Sequence, residues 1–174
     1  MTIERLDPPA VADEVTMLRG FLDHFRRTLR RQAQGLDAAQ LATRLEPSTM
    51  TLGGLLKHMT YVEQWWFEIV LHGREQRGFW ADVDWSADQD WDWNSATENT
   101  PEELDAMLAE QITMSDAALE EALADGGLDR LAVLSRRGRQ VSLRWIMVHM
   151  IEEYARHCGH ADVIRESIDG ATDL

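Results

Sequence analysis

Apolar residues recur at spacings of three and four along much of the chain, which is the pattern of helices that bury one face. In the first such segment, residues 11–34, the apolar positions are Val15, Leu18, Leu22, Phe25 and Leu29. A second segment follows the hydroxyl residues near Thr51 and ends at Gly73, and its apolar positions are Leu52, Leu55, Met59, Val62, Trp66 and Ile69. Both segments predict long helices.

Two further helices are indicated by their start and stop signals. Thr100 is followed by a proline and by Glu103, so a hydroxyl cap, proline in the first turn and a reciprocal glutamate all occur together. This third helix should run to the glycines at 126 and 127. The fourth should begin at Ser142 and extend to about Ser167, before Gly170 ends it.

The connections complete the predicted architecture. Asp37 and Gln40 predict a capping box on a short helix that ends near Pro47. Residues 74–99 break the helical pattern, and an arginine-rich connector, residues 136–139, precedes the fourth helix. Four long helices without a strand pair predict an all-α four-helix bundle, as a single domain over residues 1–174. We expect the long loop between helices two and three to cover a site at the end of the bundle.

Charge and composition exclude several function classes. The net charge of −14 argues against nucleic-acid binding, because phosphate contacts need a concentrated basic surface. Residues 78–129 hold 15 acidic side chains and no Lys or Arg, which we interpret as a solvated face. No stretch reaches the roughly 18 apolar residues of a membrane span, and no signal-peptide pattern opens the sequence. A lone cysteine, Cys158, agrees with the cytoplasmic location that these features predict.

The fourth helix carries the residues that indicate chemistry. Residues four apart on a helix differ by only about 40° in direction, so His149, Glu153 and His157 project from nearly one face, with His160 close beside them. A single histidine on an amphipathic helix is usually a structural residue. The repeated spacing instead favours a metal site, since a Glu-x-x-x-His pair can bind one ion.

A facing helix is expected to complete this site, because two ligands from one helix leave the coordination of an ion unfinished. His58 falls among the apolar positions of the second helix and should point inward. Together with Glu153 and His157 it would supply two nitrogens and one carboxylate oxygen, and positions would stay open for water or substrate. The alternative is a metal-free bundle in which these three side chains bond only to one another.

Several segments resemble the DinB-like superfamily of metal-binding four-helix bundles. They are TLGGLLKH at 51–58, EQWWF at 63–67, LRWIMVHMIEEYARH at 143–157, CGHAD at 158–162 and RESIDG at 165–170. Within the superfamily the chain is similar to an actinobacterial branch labelled mini-circle protein. A bias toward arginine, with Lys57 as the one lysine among 17 basic residues, fits such a host.

The resemblance implies a ligand set and a class of reaction. The superfamily uses three histidines, so His58 and His157 would be ligands. Glu153 departs from that pattern but matches the His, Glu, His set of the mycothiol-dependent maleylpyruvate isomerase. Zinc or nickel is then expected, with iron and manganese also compatible. His149 and His160 would orient the metal ligands or contact the substrate.

The implied activity is a thiol-dependent transfer or isomerisation that uses mycothiol as cosubstrate for a small-molecule substrate. The alternative is a non-catalytic, metal-containing module that binds a small molecule or a protein. Related bundles are often dimers, so a homodimer is also expected.

Three other features have simpler interpretations. Asp88, Asp90 and Asp92 resemble the opening of a calcium loop, but Trp93 stands where that loop needs glycine. Cys158 is turned about 100° from its neighbouring ligand and is interpreted as a packing residue. We assign Trp65, Trp66 and Trp145 to the core.

Overall fold

The structure is a computed structural model that describes residues 2–172. Within these residues the α-helices are α1 (Glu14–Ala33), α2 (Ala38–Leu41), α3 (Leu52–Glu63), α4 (Trp91–Asn94), α5 (Pro101–Ala124) and α6 (Leu143–Asp169). β-Pairing in the same part of the chain is limited to isolated bridges. The predicted all-α class is therefore confirmed. None of the described helices is both long and apolar enough to cross a bilayer.

Side-chain caps begin the helices where the sequence indicated. Thr100 and Glu103 form a capping box at the start of α5, in which each side chain bonds to the backbone N–H of the other residue. Asp37 and Gln40 form the same arrangement on α2. Because the first N–H groups of a helix lack partners within it, each such cap stabilises the fold by about 1 kcal/mol.

The second long helix continues from α3 into a π-helical segment, Gln64–Val70, which the sequence did not indicate. A π-turn bonds residue i to residue i+5, so it rotates the following side chains relative to a regular α-helix. Trp66 is buried as predicted, but Trp65 and Trp145 are each 39% exposed. Their assignment to the core was wrong. Trp65 is turned about 100° around the helix from the buried Trp66. Trp145 lies in the first turn of α6, where it packs on His149.

The long connection, residues 74–99, contains regular structure and is attached to α3. It includes the 3₁₀ turns Gly78–Asp82 and Ser95–Glu98 on either side of α4. The ammonium of Lys57 on α3 donates hydrogen bonds to the Ser95 carbonyl at 3.2 Å and to the Asn99 side-chain oxygen at 2.7 Å. The part of this connection from α4 onward thus forms a packed side of the bundle.

The acidic segment is less uniformly solvated than its composition suggested. Asp105 on α5 accepts two hydrogen bonds from the Arg30 guanidinium on α1, at 2.6 and 2.9 Å. Asp116, also on α5, accepts one from Arg26 at 2.8 Å. The negative charge of α5 is therefore partly balanced by arginines of α1, although most of these carboxylates keep solvent contact.

A buried ion pair lies at the centre of the apolar core. Glu63, at the end of α3, is fully buried and accepts two hydrogen bonds of 2.8 Å from Arg26 on α1. The phenol of Tyr154 on α6 donates a third, at 2.9 Å. Burial raises the pKa of Tyr154 well above its ordinary value, and the Glu63 carboxylate raises it further, so the phenol keeps its proton. The network joins α1, α3 and α6.

We expect Arg26→Met to destabilise the protein by about 3 kcal/mol or more, because it leaves the Glu63 carboxylate buried without its counter-charge. The matched control is Arg30→Met, whose pair with Asp105 is partly exposed and is worth at most about 1 kcal/mol. Urea unfolding followed by circular dichroism gives both free energies of unfolding. Equal losses in the two variants would contradict the central role of the Arg26–Glu63 pair.

Candidate metal centre

The metal-capable residues of α6 lie along one side of the helix and meet α3. His149, Glu153 and His157 are spaced by four residues. The His58 ring on α3 contacts the His157 ring, with centroids 5.2 Å apart and planes at 76°. A carboxylate oxygen of Glu153 lies 3.6 Å from Nε2 of His157. The structure therefore places the His157 side chain beside both His58 and Glu153, and the binding of one ion by the three residues stays a prediction.

Glu153 belongs to a second group of potential ligands as well. Its other oxygen lies 3.4 Å from Nε2 of His149, and Nδ1 of His149 lies 3.0 Å from a Glu152 oxygen. His149, Glu152 and Glu153 each offer a donor atom, and these atoms all lie within 4.8 Å of one another. Glu153 is thus shared by this set, which is confined to α6, and by the predicted set of His58, Glu153 and His157, which bridges α3 and α6 and whose donor atoms do not all lie within that distance.

Asp92 on α4 is a residue of the site that sequence reasoning missed. Its Oδ2 lies 2.6 Å from Nδ1 of His58, and the residue is 4% exposed. A carboxylate at Nδ1 holds the proton on that nitrogen and leaves Nε2 free to bind a metal. The sequence offered Asp92 only as part of an incomplete calcium loop. The sequence feature that could have indicated its role is its position between Trp91 and Trp93, on a segment predicted to cover the site.

An aromatic ring packs against the imidazoles and covers part of their surface. Trp93 stacks on His58 with a centroid distance of 4.3 Å and an angle of 24°, and its ring lies 5.9 Å from that of His157. Burial, followed by the nearby histidines, lowers the pKa of His157 to about 4. His157 is therefore neutral at physiological pH, which is the form that binds metal ions.

His149 and His160, which the sequence predicted to orient the metal ligands, each lie beside one of the predicted ligands. His149 contacts the Glu153 carboxylate and is enclosed by Trp66 and Trp145, at centroid distances of 4.7 and 4.8 Å. Nδ1 of His160 lies 3.5 Å from Nδ1 of His157, on the side of the ring away from Glu153. Their role as partners of metal ligands stays a prediction.

The donor set fits a divalent ion, and Cys158 does not contribute to it. Two imidazoles and a carboxylate suit metals of intermediate hardness. Cys158 is 4% exposed and its Sγ contacts the Phe25 carbonyl at 3.5 Å. Burial raises the pKa of this thiol to about 12, so its thiolate is not formed near neutral pH. These contacts agree with the interpretation of Cys158 as a packing residue.

The three predicted ligands, His58, Glu153 and His157, are reached from the surface rather than through a deep cavity. The side chains of His58 and Glu153 are 21% and 24% exposed. A cavity of about 190 Å³ lies beside Trp93 and is also lined by Arg44 and Thr51. A larger one, of about 630 Å³, lies near Leu36 and is not lined by the site residues. Neither of these cavities is lined by His58, Glu153 or His157, so cavity size does not mark the predicted site.

Residues 17–170 match the family described as mycothiol-S-transferase, and this span includes both helices of the centre. The chain belongs to the mycothiol S-transferase family. The resemblance to the DinB-like superfamily is thereby confirmed, because the mycothiol S-transferase family is DinB-like. A search of curated proteins gave no match.

For this member of the mycothiol S-transferase family we expect Asp92→Asn to weaken zinc binding by about 10- to 100-fold, as loss of a ligand's hydrogen-bond partner commonly does. The amide cannot supply the negative charge that makes the imidazole a stronger donor. The matched control is Asp90→Asn, which removes an exposed carboxylate from the same segment. Competition titration with a chelating dye measures both affinities. Equal affinities in the two variants would show that Asp92 has only a structural role.

Proposed function

We propose that this protein is a divalent-metal-dependent mycothiol S-transferase whose ion is bound by His58, Glu153 and His157. The observation that carries the proposal is the meeting of His58 and His157 across the α3–α6 interface, with Asp92 on the far nitrogen of His58. Family membership supports the thiol part of the proposal. The donor set suits zinc or nickel, and it also accepts iron or manganese.

The set that bridges two helices is favoured over the set confined to α6. The Glu152 side chain is 59% exposed, and its contact with His149 has the i, i+3 spacing of an ordinary helix-surface pair. His58 and His157, like His149, are flanked by aromatic rings, and His58 is in addition oriented by the buried Asp92 carboxylate. Partly buried imidazoles with a fixed orientation bind an ion more tightly than exposed carboxylates, whose side chains lose more freedom.

The chain's own residues account for the steps around the reaction. His58, Glu153 and His157 would hold the divalent ion, which would supply the positive charge that lowers the pKa of a nearby thiol. His149, beside Glu153, is placed to accept the proton that the thiol loses. Trp93 covers one face of the His58 ring, and Trp66 packs on His149. The thiol comes from a cosubstrate, because the Cys158 thiol is buried against the Phe25 carbonyl.

Single substitutions distinguish the two donor sets. We expect His58→Ala and His157→Ala to lose bound metal, whereas the control Glu152→Gln retains near-normal affinity. Glu153→Gln should lose affinity in either case, since both sets include Glu153. Elemental analysis after dialysis gives the metal content, and circular dichroism checks that the helices persist. Loss of metal in Glu152→Gln together with retention in His58→Ala would place the ion in the set confined to α6.

The thiol part of the proposal has its own test. Cobalt replaces the native ion as a spectroscopic probe, and mycothiol is titrated against it. We expect a saturable thiolate-to-cobalt charge-transfer band that is absent in His58→Ala. Turnover of an electrophile with mycothiol then distinguishes an enzyme from a metal-containing binding module. If millimolar mycothiol leaves the cobalt spectrum unchanged, the thiol-transfer function is contradicted.

A further inference from the structure

Three arginines lie on one tight turn between α5 and α6. The turn consists of Arg136, Arg137, Gly138 and Arg139 and is termed the arginine turn. The Arg136 N–H donates to the Arg139 carbonyl at 2.8 Å, and the Arg139 N–H donates to the Arg136 carbonyl at 2.9 Å. Two hydrogen bonds between the end residues give the turn a defined shape.

The backbone of this turn is unfavourable for its own sequence. Arg137 has a φ of 50° and Gly138 a φ of 75°. Two central residues with positive φ are typical of a type I′ turn, which prefers Asn, Asp or Gly at both positions. Between residues 2 and 172, Arg137 is the one non-glycine residue with positive φ. A long cationic side chain at such a position indicates a function other than forming the turn.

These arginines also lack acidic partners in a strongly acidic protein. The chain has a net charge of −14, and arginines elsewhere, such as Arg77 and Arg165, are paired with carboxylates. Over the described residues, Arg136, Arg137 and Arg139 form no salt bridge. Arg137 and Arg139 are exposed. Their guanidinium groups are therefore available to an anion from outside the chain.

One arginine of the arginine turn packs on two tryptophans that contact His149, beside the candidate metal centre. The Arg136 guanidinium lies 5.1 Å from the Trp66 ring centroid and 5.5 Å from that of Trp145. Trp145 stacks on His149, and His149 contacts the Glu153 carboxylate at 3.4 Å. A continuous series of contacts thus connects Arg136 with Glu153, through Trp145 and His149.

The backbone also fixes the turn against the second long helix. The N–H groups of Val133 and Leu134 donate to the carbonyls of Leu71 and Val70, at 3.1 and 3.0 Å. These bonds attach the connector to the end of the π-helical segment. The distance between the arginines and the metal centre is therefore set by the fold.

We propose that the arginine turn binds an anionic group, a carboxylate or a phosphate, of the substrate whose reactive end lies at the metal centre. This inference rests on the proposed function for the location of that reactive end. Guanidinium groups bind both anions through paired N–H donors. The substrate class is thus an acidic electrophile or an acidic thiol conjugate, long enough to extend past Trp145.

The anion site itself is tested on the metal-free protein. Hexanoate, hexyl phosphate and the neutral control hexanol are titrated while the backbone amide resonances of residues 136–139 are followed by NMR. We expect saturable shifts with at least one anion and none with hexanol, and the tighter anion identifies the group. The double variant Arg136→Gln/Arg137→Gln should weaken binding by about tenfold or more, as loss of charged hydrogen bonds does.

The matched control is Arg27→Gln, which removes an exposed arginine on α1 without a salt bridge in the described chain. It should leave the anion affinity unchanged. Absence of shifts with both anions, or an equal loss in Arg27→Gln, would overturn the proposal.

The connection with the metal is tested on the cobalt-loaded protein. We expect 6-mercaptohexanoate to bind about tenfold more tightly than 6-mercaptohexanol, and this ratio to approach one in the double variant. A ratio of one in the unmodified protein would overturn the role in substrate binding. If neither thiol perturbs the cobalt spectrum, the proposed thiol function fails, and the NMR titration still decides the anion site.

A stability measurement separates a functional from a structural role of Arg137. Asn adopts positive φ more readily than Arg, so Arg137→Asn should raise the midpoint of thermal unfolding by about 2–4 °C. The same variant should weaken anion binding. A lower midpoint would show that Arg137 is retained for folding and would overturn the argument from backbone conformation.

Discussion

The buried bond network of Arg26, Glu63 and Tyr154 is the interaction on which the rest of the structure depends. A fully buried carboxylate is compatible with a stable core only when its charge is balanced and its oxygens are bonded. Arg26 supplies the charge, and Tyr154 supplies an additional donor. Because these groups come from α1, α3 and α6, their directional bonds restrict how the three helices slide and rotate against one another.

That restriction reaches the candidate metal centre directly. Glu63 is on the same helix as His58, and Tyr154 immediately follows Glu153. The bond between Tyr154 and Glu63 therefore sets the register of α6 on α3. Metal ligands need positions accurate to a fraction of an ångström, which apolar packing alone does not specify as narrowly as directional bonds do. The polar network and the metal centre are two parts of one interface.

The helices could be predicted from the sequence because their signals are local. The Thr100 capping box and the repeated spacing of His149, Glu153 and His157 each depend on residues within a few positions of one another. The apolar stripe predicted that His58 points inward, and its side chain is only partly buried, with 21% exposed. The DinB-like superfamily was also recognisable from segments at 51–67 and 143–170, and the family match confirms that superfamily.

The remaining features depend on tertiary structure, which local patterns do not show. Asp92 reaches His58 only because α4 packs on α3, and no spacing in the sequence connects them. The π-helical segment has no local signal in the sequence, and the exposure of Trp65 reflects its position about 100° around the helix from the buried Trp66. Backbone strain at Arg137 likewise requires dihedral angles.

Anomalous diffraction from crystals of the zinc-loaded protein tests the central claim most directly, because it locates the ion without reference to activity. The account predicts one anomalous peak per chain between α3 and α6, about 2.0–2.2 Å from Nε2 of His58, Nε2 of His157 and an oxygen of Glu153. Nδ1 of His58 should remain bonded to Asp92. A peak bound by His149, Glu152 and Glu153 alone, with His58 not coordinated, would contradict it.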